Sequence, residues 1–167
     1  AVDHVTSLST DLLPLVQPVF EALAFGTVAT SADHARAMGF LRAGDRVSMN
    51  RDRIIADARD LALTLARGGY QAPLVRSRIA VGGDAVLAPL KLGVHLAWRG
   101  GRISDHDKLV GTRLATIIAG GASPHPRFIT EQQLLDLERE AFLSLCGERK
   151  TLERIQHTLK TGKPLRN

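Results

Sequence analysis

Three consecutive residues, Asp105-His106-Asp107, form the densest group of reactive side chains in this chain. A carboxylate beside an imidazole can move a proton or hold a metal ion, because the imidazole titrates near neutrality. A metal centre needs further ligands at suitable spacing, and none is recognisable around the triplet. A simpler reading is that the triplet opens a helix, where acids oppose the positive end of the helix dipole. His34, His95, His125 and His157 stand alone in sequence and read as surface or packing residues. Cys146 lies beside Gly147 and near Arg149 and Lys150; a lone thiol of this kind reads as a small packed hydrophobe. No Gly-x-Gly-x-x-Gly follows a strand, no phosphate-cradling glycine loop ends in Lys-Ser or Lys-Thr, and no Gly-x-Ser-x-Gly elbow is present. The expectation is a chain with no catalytic residue and no metal ligand.

The elements that would carry these residues are mostly helices, each opened by a capping residue and closed by glycine. Thr10 can cap a helix from Asp11, with Leu12, Leu15, Val16, Val19, Phe20 and Leu23 apolar. Pro14 fits its first turn, Pro18 should kink or split it, and Gly26 stops it. Thr30 with Asp33 makes a capping box for a short helix that ends at Gly39. Residues 42–45 read as a turn and Arg46–Met49 as a short strand. Asn50 then caps a long helix, Arg51 to Arg67, whose apolar face is Ile54, Ala58, Leu61 and Leu65. Gln71–Gly83 is a linker carrying the basic pair Arg76 and Arg78, with an extended end at Arg78–Val81.

From Asp84 the pattern is helical to the end. Leu87, Leu90, Val94 and Trp98 share a face, and Pro89 should delay the regular part to about residues 86–88. Ser104 with Asp107 opens a helix whose expected inner face is Val110, Leu114 and Ile117. Thr130 with Gln133 opens another, with Leu134, Leu137, Ala141 and Leu145 inward. Thr151 can restart a last helix bearing Leu152, Ile155 and Leu159. The fold class is therefore mainly α, with at most a few short strands.

Composition narrows the function classes. Hydrophobic residues make up 44% and charged residues 23%, as in ordinary globular chains, and aromatics only 4%, so the core must be aliphatic. No apolar run approaches the roughly 20 residues that span a bilayer. The net charge of +5 permits an anionic partner. The arginines are scattered, with little aromatic interleaving, which argues against a nucleic-acid surface. One cysteine cannot form an internal disulfide, and the cytoplasm is the expected compartment.

Wording, beyond pattern, points to a family. Ser31-Ala-Asp-His-Ala-Arg-Ala-Met-Gly-Phe-Leu41, with the helix after it, resembles the stretch that follows the active site in the crotonase (enoyl-CoA hydratase) superfamily. The segments from Asp45 to Arg53, Gly69 to Pro73, Leu137 to Lys150 and Leu159 to Asn167 resemble the C-terminal end of the large bacterial 3-hydroxyacyl-CoA dehydrogenases. In those enzymes a crotonase-like hydratase half follows the dehydrogenase half. The resemblance implies that residues 1–72 are the end of a crotonase-like domain and 73–167 a helical extension, with packing as one unit left open. It implies a parent enzyme of fatty-acid β-oxidation that uses NAD and acyl-CoA, with no cofactor bound to this chain. The family's acid/base glutamates and oxyanion donors lie before the Ser31 motif, so no catalytic residue carries over. The start at Ala1, without a Met, adds to the expectation of a piece of a longer polypeptide.

The resemblance also assigns two substrate contacts. Ala141-Phe142 and Glu148-Arg149-Lys150 resemble the closing helix of simpler crotonases, where a Phe and a Lys help to hold the CoA adenine and phosphates, often of a neighbouring subunit. Phe142 and Lys150 are thus the CoA contacts that the resemblance implies, although Leu143–Gly147 separates them and Thr151 stands where the family has Pro; the alternative reading puts Phe142 in the core and Lys150 in solvent. Apart from the resemblance, the linker with Arg76 and Arg78 reads first as a simple connection between two layers, and a basic loop near the CoA phosphates is its functional alternative. The expected partners are acyl-CoA, the rest of the parent polypeptide and further copies of the chain. The competing class is a free-standing helical interaction module.

Overall fold

The computed structural model describes Ser7, Leu8 and residues 11–167. Among them are seven α-helices and two short strands, so the mainly-α expectation holds: α1 (Leu13–Ala24), α2 (Ala32–Ala37), α3 (Ile54–Arg67), β1 (Ile79–Val81), α4 (Asp84–Arg99), α5 (Asp105–Ile118), β2 (Arg127–Ile129), α6 (Glu131–Cys146) and α7 (Arg149–Thr161). None of these helices is long and apolar enough to cross a membrane. Two compact units result. The first joins the described residues up to Thr27 with Arg76–Asn167; the second is Val28–Val75. Within the first unit α1 packs with α4 and α5.

The first unit has a genuine core. Leu12, Phe20, Leu87, Leu90, Val94, Ala115 and Ala119 are buried together, with β1 laid alongside through Ala80. Burying one such aliphatic side chain is worth about 1.5–3 kcal/mol. The cap expected at Thr10 lies outside the described residues. Pro18 does not split α1, which runs unbroken from Leu13 to Ala24. The bond it forgoes would have reached only the first turn, and Leu12 and Phe20 anchor the helix on either side of it. Pro89 likewise fails to delay α4, which starts at Asp84 behind Gly83. Gly83 sits at φ +55°, and a Cβ there would lie 2.3 Å from the Ser123 carbonyl oxygen.

The inner face of α5 differs from the expected one. Gly111, Ala115 and Ala119, one turn apart, are buried, while Val110, Leu114 and Ile117 are only half-buried. Small residues let α4 approach closely: a Cβ on Gly111 would stand 3.2 Å from a methyl of Val94. The extended end of the linker becomes β1, which pairs antiparallel with β2, Ile79 opposite Ile129. Leu134, Leu137, Ala141 and Leu145 of α6 are half-buried, as their spacing predicts. The last helix departs from its pattern. Thr151 lies inside α7, whose N-cap is Glu148, and Leu152, Ile155 and Leu159 are exposed.

The second unit is organised by local bonds. Ser31, rather than Thr30, caps α2 by accepting the His34 amide at 3.0 Å, while Thr30 turns its own amide and hydroxyl to His34 Nδ1 at 3.2 Å. Arg36 pairs with Asp33 at 2.9 Å and donates to the Asp45 carbonyl at 3.1 Å. Asp45 closes the expected turn by accepting the Arg42 amide at 2.8 Å. The Asn50 side chain accepts the Asp52 amide at 3.0 Å and opens a 3-10 turn, Arg51–Arg53, that leads into α3. Residues 46–49 form no strand, because no partner strand exists in this unit. None of residues 28–75 is buried. On the predicted α3 face only Leu61 is half-covered, and Ile55 is 85% exposed.

Candidate functional site

The Asp105-His106-Asp107 triplet is built by the start of α5. Ser104 Oγ accepts the Asp107 amide at 3.1 Å, and Asp107 returns the bond by accepting the Ser104 amide at 3.0 Å. This reciprocal box fixes the first turn, and the turn then sends its three side chains three ways. Asp105 accepts the Trp98 indole N–H at 2.7 Å. His106, only 4% exposed, is hydrogen-bonded through Nε2 to Thr151 Oγ1 at 2.9 Å. Asp107 binds Arg154 Nη1 at 2.8 Å. Side chains that diverge to α4 and to two positions on α7 cannot close on one ion. No His/Cys/Asp/Glu group among the described residues has metal-holding geometry.

What the triplet does is seat α7. Arg154 also donates from Nε to Asn167 Oδ1 at 2.8 Å, and Asn167 Nδ2 donates to Glu153 Oε2 at 3.0 Å and to the Lys150 carbonyl at 3.2 Å. Burial would raise the Asp107 carboxyl, but the Ser104 amide, the Arg154 guanidinium and the Ser104 hydroxyl together outweigh it and hold the carboxyl below its ordinary range. Burial lowers His106, and the positive charges of Arg154 and Lys150 lower it further against the opposing pull of Glu148 and Asp107. Both shifts therefore favour the same pairing near neutral pH, a neutral imidazole beside an ionised carboxylate. Arg154 and Asn167 were not singled out by sequence pattern, because an Arg in a scattered basic surface carries no mark of the carboxylate it will meet.

The two residues expected to contact CoA lie on separate helices. Phe142 is on α6 and 58% exposed; Lys150 is exposed in the first turn of α7, beyond the break at Gly147 and Glu148. No hydrogen bond or ring contact joins them among the described residues. Of the basic loop, Arg78 lies 4.2 Å from the Phe128 ring centroid and the Arg76 carbonyl accepts the Glu131 amide at 2.9 Å. Cys146 is free and half-buried. His95 packs its ring 5.6 Å from Trp98, and Lys108 Nζ sits 3.5 Å from the Trp98 ring centroid.

A cavity of about 440 Å³ opens between α1, α4 and α5. Phe20, Leu90, Val94 and Ile103 form apolar wall, and Gln17, Glu21, Arg102 and Asp107 add polar groups. Sequence pattern missed it, although Gly93 in the middle of a helix was a visible sign.

No family model and no solved structure matches this chain. It is similar to the protein named "Probable 3-hydroxyacyl-CoA dehydrogenase" of Bacillus subtilis (strain 168), at 41% identity over 157 residues. That alignment takes in 94% of this chain and 20% of the relative, so the chain spans about a fifth of the length of the curated protein it matches.

Proposed function

We propose that this chain is part of a 3-hydroxyacyl-CoA dehydrogenase of fatty-acid oxidation, in a polypeptide that also carries a crotonase-like enoyl-CoA hydratase half. The observation that carries the reading is the 41% identity along nearly the whole chain to a probable 3-hydroxyacyl-CoA dehydrogenase. The parent would hydrate a trans-2-enoyl-CoA and oxidise the 3-hydroxy product with NAD. In that enzyme this part supports the acyl-CoA site and subunit contacts, and the catalytic groups lie elsewhere. The bare second unit favours a supporting role, since amphipathic helices need an apolar surface to lie against. Exposed Phe142 and Lys150 remain available to an adenine face and to phosphate.

The test compares this chain with a longer natural polypeptide containing it. The longer protein should hydrate crotonyl-CoA and reduce NAD with 3-hydroxybutyryl-CoA, and the 167-residue chain should do neither. Turnover by the short chain would overturn the claim that its catalytic groups are elsewhere. A longer protein without dehydrogenase activity would overturn the parentage. In the active longer protein, Lys150→Ala should raise KM for acyl-CoA with kcat little changed; an unchanged KM removes Lys150 from the site.

A further inference from the structure

Gly93 sits in the middle of α4, where glycine costs about 1 kcal/mol relative to alanine. Neither usual reason for it applies. Its φ is not positive, and a Cβ placed there would meet nothing within 4 Å. Gly111 and Gly120 differ: a Cβ would lie 3.2 Å from Val94 at the first and 2.4 Å from Val81 at the second. What the missing side chain of Gly93 leaves open is the cavity it lines. At about 440 Å³, that space falls within the roughly 300–1,000 Å³ typical of small-molecule sites.

The charged groups around the cavity select the ligand. Glu21 holds the Gln17 amide at 2.8 Å, and Asp107 is neutralised by Arg154 at 2.8 Å. Arg102 lies 5.7 Å from the Phe25 ring centroid and has no carboxylate within ion-pair reach among the described residues. Among the described residues, the one lining charge without an ionic or hydrogen-bonding partner is thus a guanidinium, whose fork of N–H donors matches a carboxylate. We propose that the cavity binds an aliphatic carboxylate, its chain lying over Gly93 against Phe20, Leu90 and Val94, and its carboxylate against Arg102. This site stands on the cavity alone and does not depend on the parentage proposed above.

Sodium octanoate and octan-1-ol, titrated into the 167-residue chain by calorimetry, test the site. Octanoate should bind at least about tenfold more tightly than octanol, the worth of one charge-assisted hydrogen bond. Arg102→Gln, at an exposed position, should erase that difference by weakening octanoate alone. Gly93→Leu should abolish octanoate binding without lowering Tm, because it fills open space and restores helix propensity. Absence of octanoate binding, equal binding of alcohol and carboxylate, or undiminished binding by either variant would overturn the assignment. Should Gly93→Leu fail to fold, Arg102→Gln still decides.

Discussion

Gly39 and Gly120 hold the same backbone conformation, φ +79°, in the two different units of this molecule. Around Gly39 a Cβ would find empty space; around Gly120 it would strike Val81 Cγ2 at 2.4 Å. One glycine serves only a helix end, and the other serves both a turn and the close approach of β1. The contrast extends to the whole of each unit. Val28–Val75 is assembled from caps, turns and near-neighbour ion pairs, with no buried side chain. The first unit uses the same devices, then sets a core behind them. Local signals are enough to shape helices, but only burial adds stability that no single turn can supply.

The largest expected difference comes from those two glycines. Gly120→Ala combines left-handed strain with a clash against a buried valine and should cost about 3 kcal/mol or more. Gly39→Ala meets the strain alone and should cost about 1 kcal/mol. Denaturant titration of both variants checks this, and equal costs would remove the distinction between the units. Next come the leucines. Leu90→Ala empties a well-packed site and should cost about 2–5 kcal/mol. Leu65→Ala, on the exposed α3 face, should cost less than about 1 kcal/mol. Hydrogen exchange adds a direct reading, with α3 amides exchanging well before those of α4.

The same contrast explains what could be read in the sequence. Ser104–Asp107, Thr130–Gln133, Asn50 and the glycine stops were legible because each is a bond within a few residues. Residues 46–49 and 79–81 were equally strand-like, yet only the second found a partner, β2, nearly fifty residues later. That choice is made by tertiary pairing, which local pattern does not encode. The inner face of α5 was hidden because its buried stripe is Gly111, Ala115 and Ala119, beside a louder stripe of branched residues. α7 misled for the opposite reason: Thr151 and Arg154 make its bonds to α5, while its apolar row faces outward. The divergent bonds of the Asp105 triplet were beyond reach, since they depend on where Trp98, Thr151 and Arg154 arrive.

Smaller effects sharpen the picture at that triplet. Arg154→Met leaves a half-buried Asp107 without its cation and should cost about 1–2 kcal/mol, discounted for partial solvent access. Ser104→Ala removes one cap bond and should cost about 1 kcal/mol in global stability. Ser31→Ala, the equivalent change in the second unit, should instead lower local helicity and leave the main unfolding transition in place.

The smallest effect is the most specific to the core. His106 is held below its ordinary value of 6.5, first by burial and then by Arg154 and Lys150, so the folded state takes up a proton less readily than the unfolded chain. Where the unfolded state binds more protons, stability falls as pH falls. The contribution of His106 is therefore complete above its ordinary value and is lost progressively as the solution is acidified through it. The lowered Asp107 acts in the same direction but only below its own ordinary value of 3.8, so the two windows separate. Denaturant midpoints at about pH 8 and about pH 5.5 should differ more for the native chain than for His106→Gln. A variant with the same pH dependence as the native chain would show that burial, Arg154 and Lys150 do not together lower His106 in the folded chain against the pull of Glu148 and Asp107.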